Sequence, residues 1–65
     1  MPVNINTASV EDLVATIKGV GERKARAIVE YRESYGKFNS VEELANVKGI
    51  GRRTVEKNRN LIVVK

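Results

Sequence analysis

The chain has no cysteine, no histidine and only three aromatic residues among its 65. The missing cysteines exclude disulfides, thiol nucleophiles and thiolate metal sites, and leave the redox compartment undefined. The missing histidines remove the side chain most used for proton transfer near neutral pH. Two tyrosines and one phenylalanine do not make a stacking platform for single-stranded nucleic acid. Long apolar runs are absent too. The longest, Leu61 to Val64, is far short of a membrane span, and the amino terminus lacks the basic-then-apolar layout of a signal peptide. As written, the sequence is expected to be neither inserted nor exported, which fits the cytoplasm unless it is a piece of something longer; the localisation stays open.

What remains suits a small binding fold. A chain this short buries only about 60% of the surface that its unfolded form exposes, so one domain over residues 1–65 with a thin core and no deep pocket is expected. Apolar residues make up 42% and charged residues 31%, with a formal net charge of +4. The isoelectric point near 9.8 suggests a polyanionic partner. The charge is unevenly placed. Residues 18–26 hold four basic side chains and one acidic, and residues 48–57 do the same, so each window carries +3 while the rest of the chain carries −2.

Both basic windows begin at a glycine pair inside a duplicated stretch. Ser9 to Ala25, SVEDLVATIKGVGERKA, aligns with Ser40 to Val55, SVEELANVKGIGRRTV. The glycines match at an offset of 30 and the Ser-Val-Glu starts at 31, so the first copy has one extra residue before its glycines. A repeat this short means two copies of one supersecondary unit that pack together, because neither buries its apolar face alone. Each copy reads as helix, tight turn, helix, over about 9–34 and about 40–60. Ser9 with Asp12 and Ser40 with Glu43 are expected to form capping boxes, with Glu11, Asp12, Glu42 and Glu43 in first turns where the helix dipole favours acids. Capping accounts for these paired acids better than general acid–base chemistry does.

Val10, Leu13, Val14 and Ile17, and then Val41, Leu44 and Val47, recur at helical spacing and mark short helices of about two turns. The helices after the glycines are expected from Glu22 to Ser34, with Ala25, Ile28, Val29 and Tyr31 in the core, and from Arg52 to Asn60. Gly36 ends the longer one, Phe38 is expected to be buried, and the residue types leave the tail Leu61 to Lys65 open between strand and coil. Arg26, Arg32, Lys37, Arg59 and Lys65 read as solvated surface. Tyr31 and Tyr35 read as packing residues rather than base-stacking ones.

A chain leaving a glycine turn into a helix presents unpaired backbone N–H groups at the positive end of the helix dipole, which is an anion site. Glycine lets a phosphate oxygen approach closely, and a lysine or arginine one turn on closes over it. Val20 and Ile50, between the glycines, are expected to point inward and pin each turn. A single GxG is weak; two in the same helical context, each with basic flanks, point to phosphate binding.

The pattern of apolar, x, Gly, apolar, Gly, three residues, small apolar is met by Ile17, Gly19, Val20, Gly21 and Ala25, and again by Val47, Gly49, Ile50, Gly51 and Val55. It resembles the helix-hairpin-helix motif. With VNINTASVEDL in front and IVEYRESYGKFNSVEEL between, the chain resembles from end to end the DNA-binding domain of the ComEA family of competence proteins. That resemblance implies an all-α, tandem helix-hairpin-helix fold of the SAM-like kind that binds double-stranded DNA without sequence preference and is not an enzyme. It implies contacts from Gly19, Val20, Gly21 and Lys24 in one hairpin and from Gly49, Ile50, Gly51, Arg52 and Arg53 in the other. It implies no cofactor, although hairpins of the family sometimes take a monovalent cation through turn carbonyls. DNA uptake is the process implied, with repair or recombination as the alternative, and a cell-surface or periplasmic site where the domain belongs to an anchored protein.

Three residues depart from the family pattern. Glu22 and Lys18 stand where proline is common, and Asn58 where leucine is common. A carboxylate at Glu22 is expected to weaken the first hairpin, which makes the second the stronger, and Asn58 is expected to loosen the last helix. The runner-up is a protein-interaction module on the same fold, of which an extrinsic subunit of photosystem II is an example. A small enzyme finds no nucleophile, metal set or pocket to support it.

Overall fold

In the computed structural model, which describes residues 1–65, the first helix α1 (Val10–Thr16) starts where its capping residue demands. Ser9 is extended and its Oγ accepts the Asp12 N–H at 3.1 Å, with Glu11 and Asp12 in the first turn. The same Ser-Val-Glu start gives a different element in the second copy. Val41–Asn46 is a 3-10 helix, and Ser40 makes no side-chain cap. Glu43 instead uses Oε1 to accept the Asn39 N–H at 3.1 Å, so the capping box expected at Ser40 is replaced by a cap one residue before it.

The physical reason is the missing residue. In the first copy the buried pair Leu13 and Ile17 is four apart, and the Ile17 N–H donates to the Leu13 carbonyl, which is α geometry. In the second the buried pair Leu44 and Val47 is three apart, and the Val47 N–H donates to the Leu44 carbonyl. Losing one residue while keeping both anchors in the core requires three residues per turn, and the 3-10 helix supplies that.

The long helix α2 (Glu22–Tyr35) ends at Gly36, whose φ of 94° is open to glycine and whose N–H closes on the Arg32 carbonyl. α3 (Arg52–Lys57) is shorter than expected. It stops at Asn58, followed by a 3-10 turn, Arg59–Leu61. The tail is a strand. β1 (Val3–Asn4) and β2 (Ile62–Val63) pair in parallel with Val3 opposite Ile62 and Asn4 opposite Val63. The fold is therefore mostly helical rather than all-α, with a two-stranded sheet tying the two ends of the chain together.

Fourteen apolar side chains and Asn58 are buried. Ile17, Val20 and Ile28 of the first copy meet Leu44, Ile50 and Val55 of the second along a dry seam, closed at one side by Ile62. Val14 lies outside it, 41% exposed, while Leu13 and Ile17 of the same stripe fill the core side of this two-turn helix. The amino-terminal segment belongs to the core as well. Val3, Ile5 and Ala8 are buried, and the Arg32 guanidinium, expected at the surface, donates to the Ile5 carbonyl at 2.9 Å. The Asn6 side chain donates to the carbonyls of Phe38 and Lys65 and accepts the Phe38 N–H at 2.7 Å. Tyr31 stacks on buried Phe38 with ring centroids 5.2 Å apart, while Tyr35 is exposed.

Candidate functional site

Each glycine pair forms a tight turn closed by one backbone bond. The Val20 N–H donates to the Ile17 carbonyl at 3.2 Å, and the Ile50 N–H to the Val47 carbonyl at 3.0 Å. Gly19 and Gly49 occupy the third turn position with φ of 88° and 92°, the left-handed region that a type II turn requires. Their glycines are demanded by the turn itself. Val20 and Ile50 are buried, as their apolar character predicts, and fix each turn to the core. Because their amides close the turns, these two residues have no N–H free for an anion, which corrects their expected role as donors. The free donors are their neighbours. The N–H groups of Gly19, Gly21, Gly49 and Gly51, with those of the opening residues of α2 and α3, have no acceptor within the chain.

The second glycine of each pair is different in kind. Gly21 (φ −91°, ψ −168°) and Gly51 (φ −100°, ψ 176°) have extended backbone that any residue adopts. A Cβ added at either would meet nothing within 4 Å. Both are N-caps without a side-chain hydrogen bond, at a position where serine, aspartate or asparagine caps a helix at least as well. Neither the turn nor the packing requires glycine there, in either copy.

Basic side chains frame these bare amides and link the two turns. Lys24, in the first turn of α2, lays its stem across the other turn, with Cγ 3.5 Å and Cε 3.6 Å from where a Cβ on Gly49 would stand. From α3, Lys57 reaches the opposite way, its Nζ 4.0 Å from the same point on Gly19. Each turn is thus flanked by a lysine from the other copy. Lys24 belongs with the Gly49 turn rather than with its own, and Lys57 joins the site although the sequence marked it only as part of a basic window. The ion pairs are Arg26–Glu22, Arg59–Glu42 and Arg59–Glu56, so Lys18, Arg23, Lys24, Lys48, Arg52, Arg53 and Lys57 carry no carboxylate partner. Glu22 is occupied by Arg26 at 2.7 Å, one turn down α2, and this contact raises the guanidinium pKa further. Arg59 lowers the pKa of Glu42 by hydrogen bond and charge.

Asn58 overturns its expected role. It is fully buried and satisfied. Its Oδ1 accepts the Lys18 N–H at 2.8 Å, and its Nδ2 donates to the carbonyls of Lys18 at 2.9 Å and Thr54 at 2.8 Å. Far from loosening the last helix, it fastens the end of α3 to the Gly19 turn. The signal was present in the sequence. Asn58 aligns with Ile28 at the glycine offset of 30, so it is a polar residue on an apolar stripe.

Residues 1–63 match the helix-hairpin-helix motif family. The chain is 48% identical to an uncharacterized protein of Haemophilus influenzae, over 94% of its own length and 54% of that protein's. It is 49% identical to ComE operon protein 1 of Bacillus subtilis, over 97% of its length and 30% of the relative's. It is also 52% identical to endonuclease/exonuclease/phosphatase family domain-containing protein 1 of Homo sapiens, over 83% of this chain but 9% of that one. The chain thus spans about half or less of the length of these relatives. With the motif matched over nearly every residue and both glycine turns in place, this chain belongs to the helix-hairpin-helix family.

Proposed function

We propose that the protein binds double-stranded DNA through backbone phosphates, without reading sequence, and that its two copies act as a tandem helix-hairpin-helix domain over residues 1–65. One observation carries this reading. Gly21 and Gly51 are glycines without an internal reason, placed where a side chain would cover free N–H groups. Repeating that arrangement twice, with unpaired lysines and arginines around it, suits a ligand that offers two phosphates at a fixed separation. Backbone amides carry no base-specific pattern, so contacts of this kind position a protein on DNA rather than select a sequence.

The donors in this reading are Gly19, Gly21, Gly49 and Gly51, with Lys24, Arg52, Arg53 and Lys57 closing over the same phosphates. No catalysis is part of it, in keeping with a chain that lacks cysteine and histidine. The reading needs no cofactor, and a monovalent cation at the turn carbonyls is compatible with it. Similarity to ComE operon protein 1 supports a place in DNA uptake.

Titrating a labelled duplex at several salt concentrations tests the proposal. With roughly five phosphates neutralised, log K falls against log salt with a slope of about −4 to −5, equally for scrambled sequences. A slope near zero, or a strong preference for one sequence, contradicts it.

A further inference from the structure

The two turns share a backbone path but are held differently. In the Gly19 turn, the Asn58 carboxamide binds Lys18 from both sides, accepting its N–H at 2.8 Å and donating to its carbonyl at 2.9 Å. The repeat-equivalent of Asn58 in the first copy is Ile28, which lies in the seam beside Ile50 and has no polar atom to offer, and the Lys48 N–H has no acceptor within the chain.

The Lys18 carbonyl belongs to the central peptide of the Gly19 turn, the unit that rotates by about half a turn when a type II turn converts to type I. In a trans peptide the carbonyl and the following N–H point in opposite directions, and the chain has no cis bonds. Holding the Lys18 carbonyl inward against Asn58 therefore aims the Gly19 N–H outward, away from the core. Rotating the peptide would break the Nδ2 bond and leave a buried carboxamide donor short of an acceptor, a costly state. Asn58 is 0% exposed, so bulk solvent does not reach it to replace the lost partner.

We propose that Asn58 is a positioning residue that locks the Gly19 amide toward a phosphate, so that the Gly19 turn is the stronger of the two DNA grips. This rests on the DNA-binding reading above and reverses the order that Glu22 suggests from residue type alone. The Glu22 carboxylate, paired with Arg26, is committed along the helix. The Gly49 turn, held by its single closing bond, samples both peptide orientations and binds only in one of them, which lowers its apparent affinity by the competent fraction.

Amide-resolved NMR of the whole chain tests this, free and titrated with a 16-base-pair duplex. In the free protein, relaxation dispersion is expected at Gly49 and not at Gly19. During titration the Gly19 and Gly21 amides are expected to shift at lower duplex concentration than Gly49 and Gly51. Asn58→Leu, close in size but unable to hold the peptide, is expected to bring dispersion to Gly19 and to weaken duplex binding about three- to tenfold. The shifts at Gly49 and Gly51 stay in place. Dispersion at both turns of the free wild-type protein, or a Gly49 amide that shifts at lower duplex concentration than Gly19, overturns the role of Asn58 while leaving DNA binding intact. So does a folded Asn58→Leu whose Gly19 amide shifts as in the wild type. A wild-type protein that shows no duplex binding overturns the functional reading and this proposal together. Where Asn58→Leu does not fold, the two wild-type comparisons decide.

Discussion

At the residue scale, the site is built from side chains that are absent or turned to unexpected work. Gly19 and Gly49 were legible in the sequence because a left-handed turn position calls for glycine. Gly21 and Gly51 were legible as a pattern, but only the backbone angles separate a glycine that the turn needs from one that it does not. The partners of Lys24, Lys57 and Asn58 were not legible, since each lies in the other copy of the repeat and local spacing says nothing of contacts across 25 to 40 residues. Arg59 supplies a test of the surface electrostatics. Its guanidinium donates to Glu42 at 2.6 Å and lowers that carboxyl below its ordinary value of 4.5. A depressed carboxylate pKa favours the fold above the unfolded value, and the contribution fades as pH falls through the folded value. Following the Glu42 side chain by NMR, we expect a midpoint below 4.5 that rises toward it in Arg59→Gln. An unmoved midpoint would mean that this pair is not held in solution.

At the element scale, the repeat is a better guide to where helices begin than to what kind they are. The matching Ser-Val-Glu starts invite matching caps, yet only Ser9 uses its hydroxyl. Ser9→Ala is expected to cost about 1 kcal/mol in chemical denaturation, whereas Ser40→Ala costs only a few tenths. Equal losses would show that the second cap forms in solution after all. The 3-10 helix was encoded in the one-residue difference between the copies, together with the shortening from Leu13–Ile17 to Leu44–Val47. That arithmetic becomes readable only once both pairs are known to be core, because periodicity over six residues does not separate three per turn from 3.6. The end of α3 was hidden for a related reason. Asn58 turns its carboxamide onto the Thr54 carbonyl and the Gly19 turn, a tertiary demand that overrides the helical pattern running to Asn60.

At the scale of the whole molecule, the ends of the chain complete the core that the two copies share. The β1–β2 pairing joins residues about 60 positions apart, and Ile5, with no exposed surface, sits beside it with its carbonyl held by Arg32. Such long-range pairing of two-residue strands leaves no periodic trace, so residue types alone do not separate strand from coil in the tail. Ile5→Ala is expected to destabilise the chain by about 2–4 kcal/mol, a large fraction of what so small a domain possesses. A loss below 1 kcal/mol in urea unfolding would show that the amino-terminal segment is not part of the cooperative unit. On the DNA-binding reading proposed above, Gly21 and Gly51 are glycines for the sake of a phosphate. That role is tested most directly by measuring duplex affinity and unfolding free energy together for the double variant Gly21→Ser, Gly51→Ser. Serine suits the observed backbone, meets open space and can cap both helices. Stability equal to or above wild type is expected, with duplex binding weakened about tenfold or more, as the hydroxyls cover the free amides. Unchanged affinity in a protein that is just as stable would contradict that role.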